Sequence, residues 1–156
     1  MSREIKFRGW DKYDKKMIYD LCQVDSFWHY YSYSDNTGLH FGKTGPNGVG
    51  EDFENKYIMQ YTGLKDKNGR EIYEGDILSG GNRFDECCGT PVIKIGNYDE
   101  CKELFDEEGD FYELSCTGVY FEFNNNTCTG IDYTCISNFE VIGNIYENPE
   151  LLEVGE

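Results

Sequence analysis

Residues 56–78 read KYIMQYTGLKDKNGREIYEGDIL, two β-prone runs on either side of an Asn68-Gly69 pair. An Asn-Gly pair suits the positive φ angles of a tight hairpin, and Tyr, Ile, Thr and Leu suit a pleated, half-buried surface. No apolar spacing of 3.6 residues runs through the stretch, so it reads as strand, turn, strand. The charged groups Lys65, Asp66, Lys67 and Arg70 then belong to a solvent-exposed tip, and Gly75-Asp76 to a bend before the core residues Ile77 and Leu78.

The same period of two recurs along the chain. EIKFRGWD, residues 4–11, alternates Ile5, Phe7 and Gly9 with Lys6, Arg8 and Trp10, and DKYDKK turns it into MIYDLCQV, which predicts a hairpin. FWHYYSYS, residues 27–34, predicts a strand with Phe27, His29, Tyr31 and Tyr33 on one face and Trp28 and Tyr30 on the other. One of those faces is core; the other packs on a neighbouring subunit or stacks on a planar ligand. The glycine-rich stretch from 35 to 52 predicts a loop. TPVIKIGNY is a strand, and NYDECKELFDEEG predicts a short helix behind an Asn97 or Asp99 cap, with Cys101, Leu104, Phe105 and Glu108 at helical spacing. Two strands follow in DFYELSCTGVYFEFNNN and one or two in YTCISNFEVIGNIY, before Asn148 caps a helical turn that begins at Pro149. The expected class is mostly β, a short-stranded, partly closed barrel with one or two short helices. The chain is expected to be one domain over 1–156, with subdomains at 1–56 and 57–156.

At 156 residues the chain can bury one core without staples. Its formal charge is −16, divided unevenly: residues 1–78 carry 11 basic and 13 acidic groups, net −2, and residues 79–156 carry 3 and 17, net −14. Phosphate backbones are held by Lys and Arg, so direct nucleic-acid binding is disfavoured, while an acidic surface suits a basic protein. The seven cysteines are odd in number, the first residues MSREIKFRGWDK lack an apolar core, and no run of 18 apolar residues exists. These features predict reduced thiols in a cytoplasm and no membrane span.

Motifs of catalysis are absent. TGLHFGKT, residues 37–44, ends in Gly-Lys-Thr, but Thr37 stands where a phosphate loop requires glycine, and Gly45-Pro46 stops any helix after it. Lys43 is still placed to contact an anion from a loop. No Cys-x-x-Cys pair occurs, and adjacent Cys87-Cys88 is poor geometry for zinc, so the thiols read as small apolar residues. His29 and His40 sit beside no nucleophile signature, and His29 reads as a ring in the aromatic cluster. Among 30 acids, Asp106, Glu107, Glu108 and Asp110 read as a solvated face. The chain is expected not to be an enzyme and to need no metal or cofactor.

Three blocks resemble the YopX family of phage and prophage proteins: REIKFRGWDKYDKKMI at 3–18, MQYTGLKDKNGREIYEGDIL at 59–78 and FEVIGNIYENPELL at 139–152. Gly9 stands where the family usually has alanine, and residues 20–56 and 80–138 carry no resemblance. The resemblance implies a phage origin, a β-rich fold with a small SH3-like barrel toward the carboxyl end and a homo-oligomer in the cytoplasm of the infected host. It brings no catalytic residues. Two non-catalytic roles in counter-defence fit these residues. An oligomer can sequester a small nucleotide-derived immune signal, its base stacked on Trp10, Trp28, Tyr30 or Tyr31 and its phosphates held by Arg8 and Lys43. Alternatively, the acidic half can mimic nucleic acid and block a basic host protein. A structural or regulatory phage component without ligand is the third option.

Overall fold

The hairpin centred on Asn68-Gly69 forms as expected, with its two strands joined through residues 66–70. The structure is a computed structural model that describes residues 4–19, 21, 29–36, 38–53, 57–79, 89–105, 111–123, 128–131 and 136–152. Its elements are almost all strands: β1 (Phe7–Asp11), β2 (Lys16–Ile18), β3 (His29–Asp35), β4 (Gly38–Thr44), β5 (Gly50–Phe53), β6 (Ile58–Lys65), β7 (Glu71–Tyr73), β8 (Asp76–Ser79), β9 (Val92–Phe105), β10 (Phe111–Glu122), β11 (Cys128–Gly130) and β12 (Glu140–Asn144). One 3-10 turn, Pro149–Leu152, closes the described chain where Asn148 was expected to begin a helical turn. The mostly-β class is therefore what the sequence predicts.

The chain divides into two compact units between Tyr61 and Thr62, inside β6, and not before the strand as the sequence suggests. In the first unit β1 pairs antiparallel with β2, with Trp10 opposite Met17, and with β6, with Arg8 opposite Met59. The ladder β3-β4-β5 is also antiparallel, with Tyr33 opposite His40. Ile18, Leu21, Tyr30 and Phe41 form its buried core, and Phe7 and Ile58 pack against them. In the second unit the order is β11-β10-β9-β8-β12, around a core that includes Leu64, Ile72, Leu78, Ile93, Phe121 and Phe139. Complete burial of each such side chain contributes about 1.5–3 kcal/mol.

Two sequence expectations are overturned. The glycine-rich stretch from 35 to 52 is not one loop: it holds β4 and most of β5, with a turn from Gly45 to Val49 between them. Gly42 lies opposite Tyr31 and Gly38 opposite Asp35, so the glycines face larger side chains across the ladder, and tertiary pairing outweighs their low β propensity. The helix expected over NYDECKELFDEEG is also absent from the described residues, because β9 runs through Phe105 and pairs with β10 from Val92 to Phe105. Three apolar positions and Glu108 at helical spacing are a weak local signal. A partner strand paired from Asn97 to Glu100 and again at Leu104 and Phe105 outweighs it. The acidic residues 106–110 lie outside the described residues.

Candidate functional site

Asp11 ends β1 and organises the turn that follows. Its Oδ1 accepts the amides of Tyr13 at 3.0 Å and Asp14 at 3.1 Å, while Oδ2 accepts a bond from Lys43 Nζ at 2.6 Å. Lys43 also donates to Asp14 Oδ2 at 3.3 Å, and its ammonium lies 5.6 Å from the Tyr13 ring. The side chains of Lys43 and Asp11 are 1% and 0% exposed, so the pair is fully withdrawn from water. Burial alone would push the Asp11 carboxyl up, but the bonds from Lys43 and from the Asp14 and Tyr13 amides outweigh it and hold the group below the ordinary carboxylate range. Burial likewise works to lower Lys43, and its bonds to Asp11 and Asp14 carry it above the ordinary lysine value. A lysine held this way keeps its proton and acts as a fixed charge inside the unit. It is not the loop cation that the sequence suggests.

The face of the β3-β4-β5 sheet opposite Lys43 is a row of rings. Alternation along β3 sends Tyr30 inward, where it is buried, and leaves His29 and Tyr33 exposed and Tyr31 half-buried. Tyr31 and Tyr33 stack with centroids 6.2 Å apart at 27°, and Tyr33 stacks on His40 of β4 at 4.9 Å and 16°. His40 Nε2 lies 3.0 Å from Asp35 Oδ1 at the end of the row. Gly50 of β5 is confined by the Lys43 carbonyl and the Tyr31 hydroxyl, which a Cβ there would meet at 3.2 and 3.4 Å. The arrangement presents stacked π faces that end in a carboxylate, a geometry for binding planar groups.

A family model described as YopX protein matches residues 6–153. This chain belongs to the YopX family. The match takes in every strand just described, including β3 to β5, although residues 20–56 carry no motif that resembles the family. Among solved structures, this YopX protein is similar to the crystal structure of protein EF1440 from Enterococcus faecalis, with 26% identity, a TM-score of 0.48 and coverage of 97% of this chain and 100% of that one. No curated protein matches it. Among the described residues no helix is long and apolar enough to cross a membrane, and no group of three His, Cys, Asp or Glu is placed to hold a metal ion.

Of the six residues singled out from the sequence of this YopX protein, five are described and do not form one site, although Tyr30 and Lys43 are cross-strand partners on the buried face. Arg8 and Lys43 are buried, Arg8 with its Nη2 3.5 Å from Met59 Sδ. Tyr30 is buried in the core, and Trp10 is half-buried opposite Met17. Tyr31 alone stands on the ring face, and Trp28 lies outside the described residues. Tyr33, His40 and Asp35 were missed as site residues. Tyr33 was within reach, since it shares the alternation of Tyr31. His40 and Asp35 were not, because the glycines around them hid β4. The stacked histidine is His40; His29 is exposed at the start of β3. Of the seven cysteines, Cys116 and Cys128 are half-buried and in no disulfide, Cys101 lies in β9, and Cys22, Cys87, Cys88 and Cys135 lie outside the described residues.

Proposed function

We propose that this YopX protein is a phage-encoded, non-enzymatic binding protein that works against a host defence by holding one of its components on the ring face of β3 and β4. The stacked row Tyr31, Tyr33 and His40 carries the reading, with Tyr33 41% exposed although it is a large ring on a regular strand. Rings held in parallel offer a planar partner contact area with little side-chain entropy left to lose. Arg8 and Lys43 play no part in this reading, because both are buried and Lys43 is neutralised by Asp11 and Asp14. A homo-oligomer would present several such faces and raise the effective concentration of each.

Isothermal titration tests this with a panel of cyclic dinucleotides, ADP-ribose derivatives, nucleosides and arginine-bearing peptides against wild type and Tyr33→Ala. The expected result is heat from at least one class, lost in the variant. A flat response to the whole panel, or turnover of any member, sinks the reading. A second reading is favoured by the net −14 of residues 79–156: that half imitates the charge of nucleic acid and occupies a basic host protein. Its mark is capture from host lysate that weakens steeply between low and high salt and persists in Tyr33→Ala.

A further inference from the structure

The hairpin tips at 45–49 and 66–70 are built alike and held differently. In each, the first carbonyl accepts the amide of a glycine three residues on, Gly48 to Gly45 at 3.0 Å and Gly69 to Asp66 at 2.9 Å. Both glycines are left-handed, at φ +70° and +82°, and each follows an exposed asparagine, Asn47 or Asn68. These are the two Asn-Gly pairs of the chain.

An asparagine before glycine readily loses its side-chain amide, because glycine has no Cβ to shield its nitrogen. The glycine nitrogen gives up its proton and attacks the asparagine Cγ. The new N–C bond closes a five-membered imide, and ammonia leaves with the proton. Water then adds at either ring carbonyl and opens the ring to aspartate or, with the main chain rerouted through the side-chain carbon, to isoaspartate. To reach Cγ the glycine nitrogen must first leave its turn hydrogen bond, so the rate follows how easily the tip opens.

That opening differs between the two tips. Asp66 stands first in its turn, and its Oδ1 accepts the amides of Asn68 at 2.8 Å and Arg70 at 2.9 Å, on both sides of Gly69. Its Oδ2 accepts the Val141 amide at 3.1 Å, and the Lys67 amide donates to the Phe139 carbonyl at 2.9 Å, so the tip is fastened to β12 and to the residue before it. Turning Asn68 far enough to cyclise would break this set. A carboxylate beside Gly69 also opposes negative charge on its nitrogen. Gly45 occupies the corresponding place in the other turn and brings no side chain. The tip beyond it is held by the Gly48 bond and by one from the Gly45 amide to the Val49 carbonyl at 3.1 Å, and residues 46–49 are exposed.

We infer that Asn47 is a site of spontaneous deamidation in the folded protein and that Asp66 protects Asn68 from the same reaction. This does not depend on the ring face being a binding surface. Isoaspartate at 47 adds a main-chain carbon and a negative charge to the turn that joins β4 to β5, beside the Thr44–Gly50 pair.

Incubating the full chain in warm, mildly alkaline buffer, then mapping its peptides by mass spectrometry with enzymatic methylation of isoaspartate, tests it. Asn47 should convert about tenfold faster than Asn68 in the folded chain, and the two rates should agree within about twofold in urea, where only the shared dipeptide is left. Gly45→Asp puts a carboxylate where Asp66 has one, in a turn position that favours aspartate, and should slow Asn47 several-fold. Conversion of Asn68 as fast as Asn47, or of neither in the folded chain while both convert in urea, overturns the inference. So does a Gly45→Asp chain in which Asn47 converts at the wild-type rate.

Discussion

Asp11 and Lys43 show how one buried pair sets local structure and pH response together. Lys43→Met would leave Asp11 buried without its cation, and removing one partner of such a pair costs about 3–5 kcal/mol. Urea unfolding should show that loss, and the double variant with Asp11→Asn should recover part of it. The pH response has two sides. Asp11 titrates low in the folded chain, so its contribution is complete above the ordinary carboxylate value of about 4 and fades as pH falls through its folded value. Lys43 titrates high, so its contribution is complete below about 10.4 and fades as pH rises through its folded value. Urea midpoints measured across pH should therefore fall at both extremes, and Lys43→Met should lessen the alkaline fall, the remainder coming from Tyr30 and Tyr120, whose hydroxyls burial pushes up. Asp66 repeats the device in the second unit, accepting the amides of Asn68 at 2.8 Å, Arg70 at 2.9 Å and Val141 at 3.1 Å. Burial works to raise its carboxyl, and these bonds hold it low. Far from being part of a solvated tip, as its charge suggests, Asp66 is buried and ties the β6–β7 turn to β12.

At the level of elements, β6 changes its buried face partway along. Met59 and Tyr61 are buried in its first half, Thr62 and Leu64 in its second, so the parity shifts at the division between the units. Gly63, at φ +83°, supplies the left-handed residue that breaks the alternation, and Thr62 Oγ1 fixes the site by donating to the Ile72 carbonyl at 2.7 Å and accepting the Leu64 amide at 3.1 Å. Gly63→Ala should cost about 1–2 kcal/mol in urea unfolding, the strain of an L-residue in that region. Two other glycines are required for space, to different degrees. A Cβ on Gly143 would lie 2.5 Å from Asn148 Oδ1 and 2.8 Å from Asn148 Cβ, an atom tied to the backbone. On Gly130 it would meet the Tyr98 hydroxyl at 2.5 Å, the far end of a side chain that can swing. Gly143→Ala should thus cost about 1–3 kcal/mol and Gly130→Ala under about 1 kcal/mol. Equal losses would show that Tyr98, stacked on Tyr120 at 4.7 Å, is as fixed as the backbone.

Over the whole molecule, charge is the dominant unbalanced quantity. At −16 the chain repels itself, and the Debye length of about 10 Å at 0.1 M salt lets that repulsion be screened. The melting temperature at neutral pH should rise between low salt and 0.3 M sodium chloride, read by circular dichroism. A fall would mean that favourable ion pairs such as Lys67 with Glu140, 2.7 Å apart, outweigh the repulsion. The same imbalance makes a basic partner favourable on encounter, before any ring is stacked.

The alternating strands, the Asn-Gly hairpin, the helical turn at Pro149 and the family were legible in the residues, because period-two burial and turn chemistry are local properties written every second or third position. Tertiary structure alone decided the rest. Whether Gly38 to Phe53 is loop or ladder depended on a partner strand, and whether residues 97–105 coil or extend depended on β10. The fate of the cations was equally non-local: Lys43 became an interior charge because Asp11, far away in sequence, turned its carboxylate toward it. A side chain's identity fixes what it can do, and only its neighbours in space fix whether that capacity faces water, a ligand or another part of the same chain.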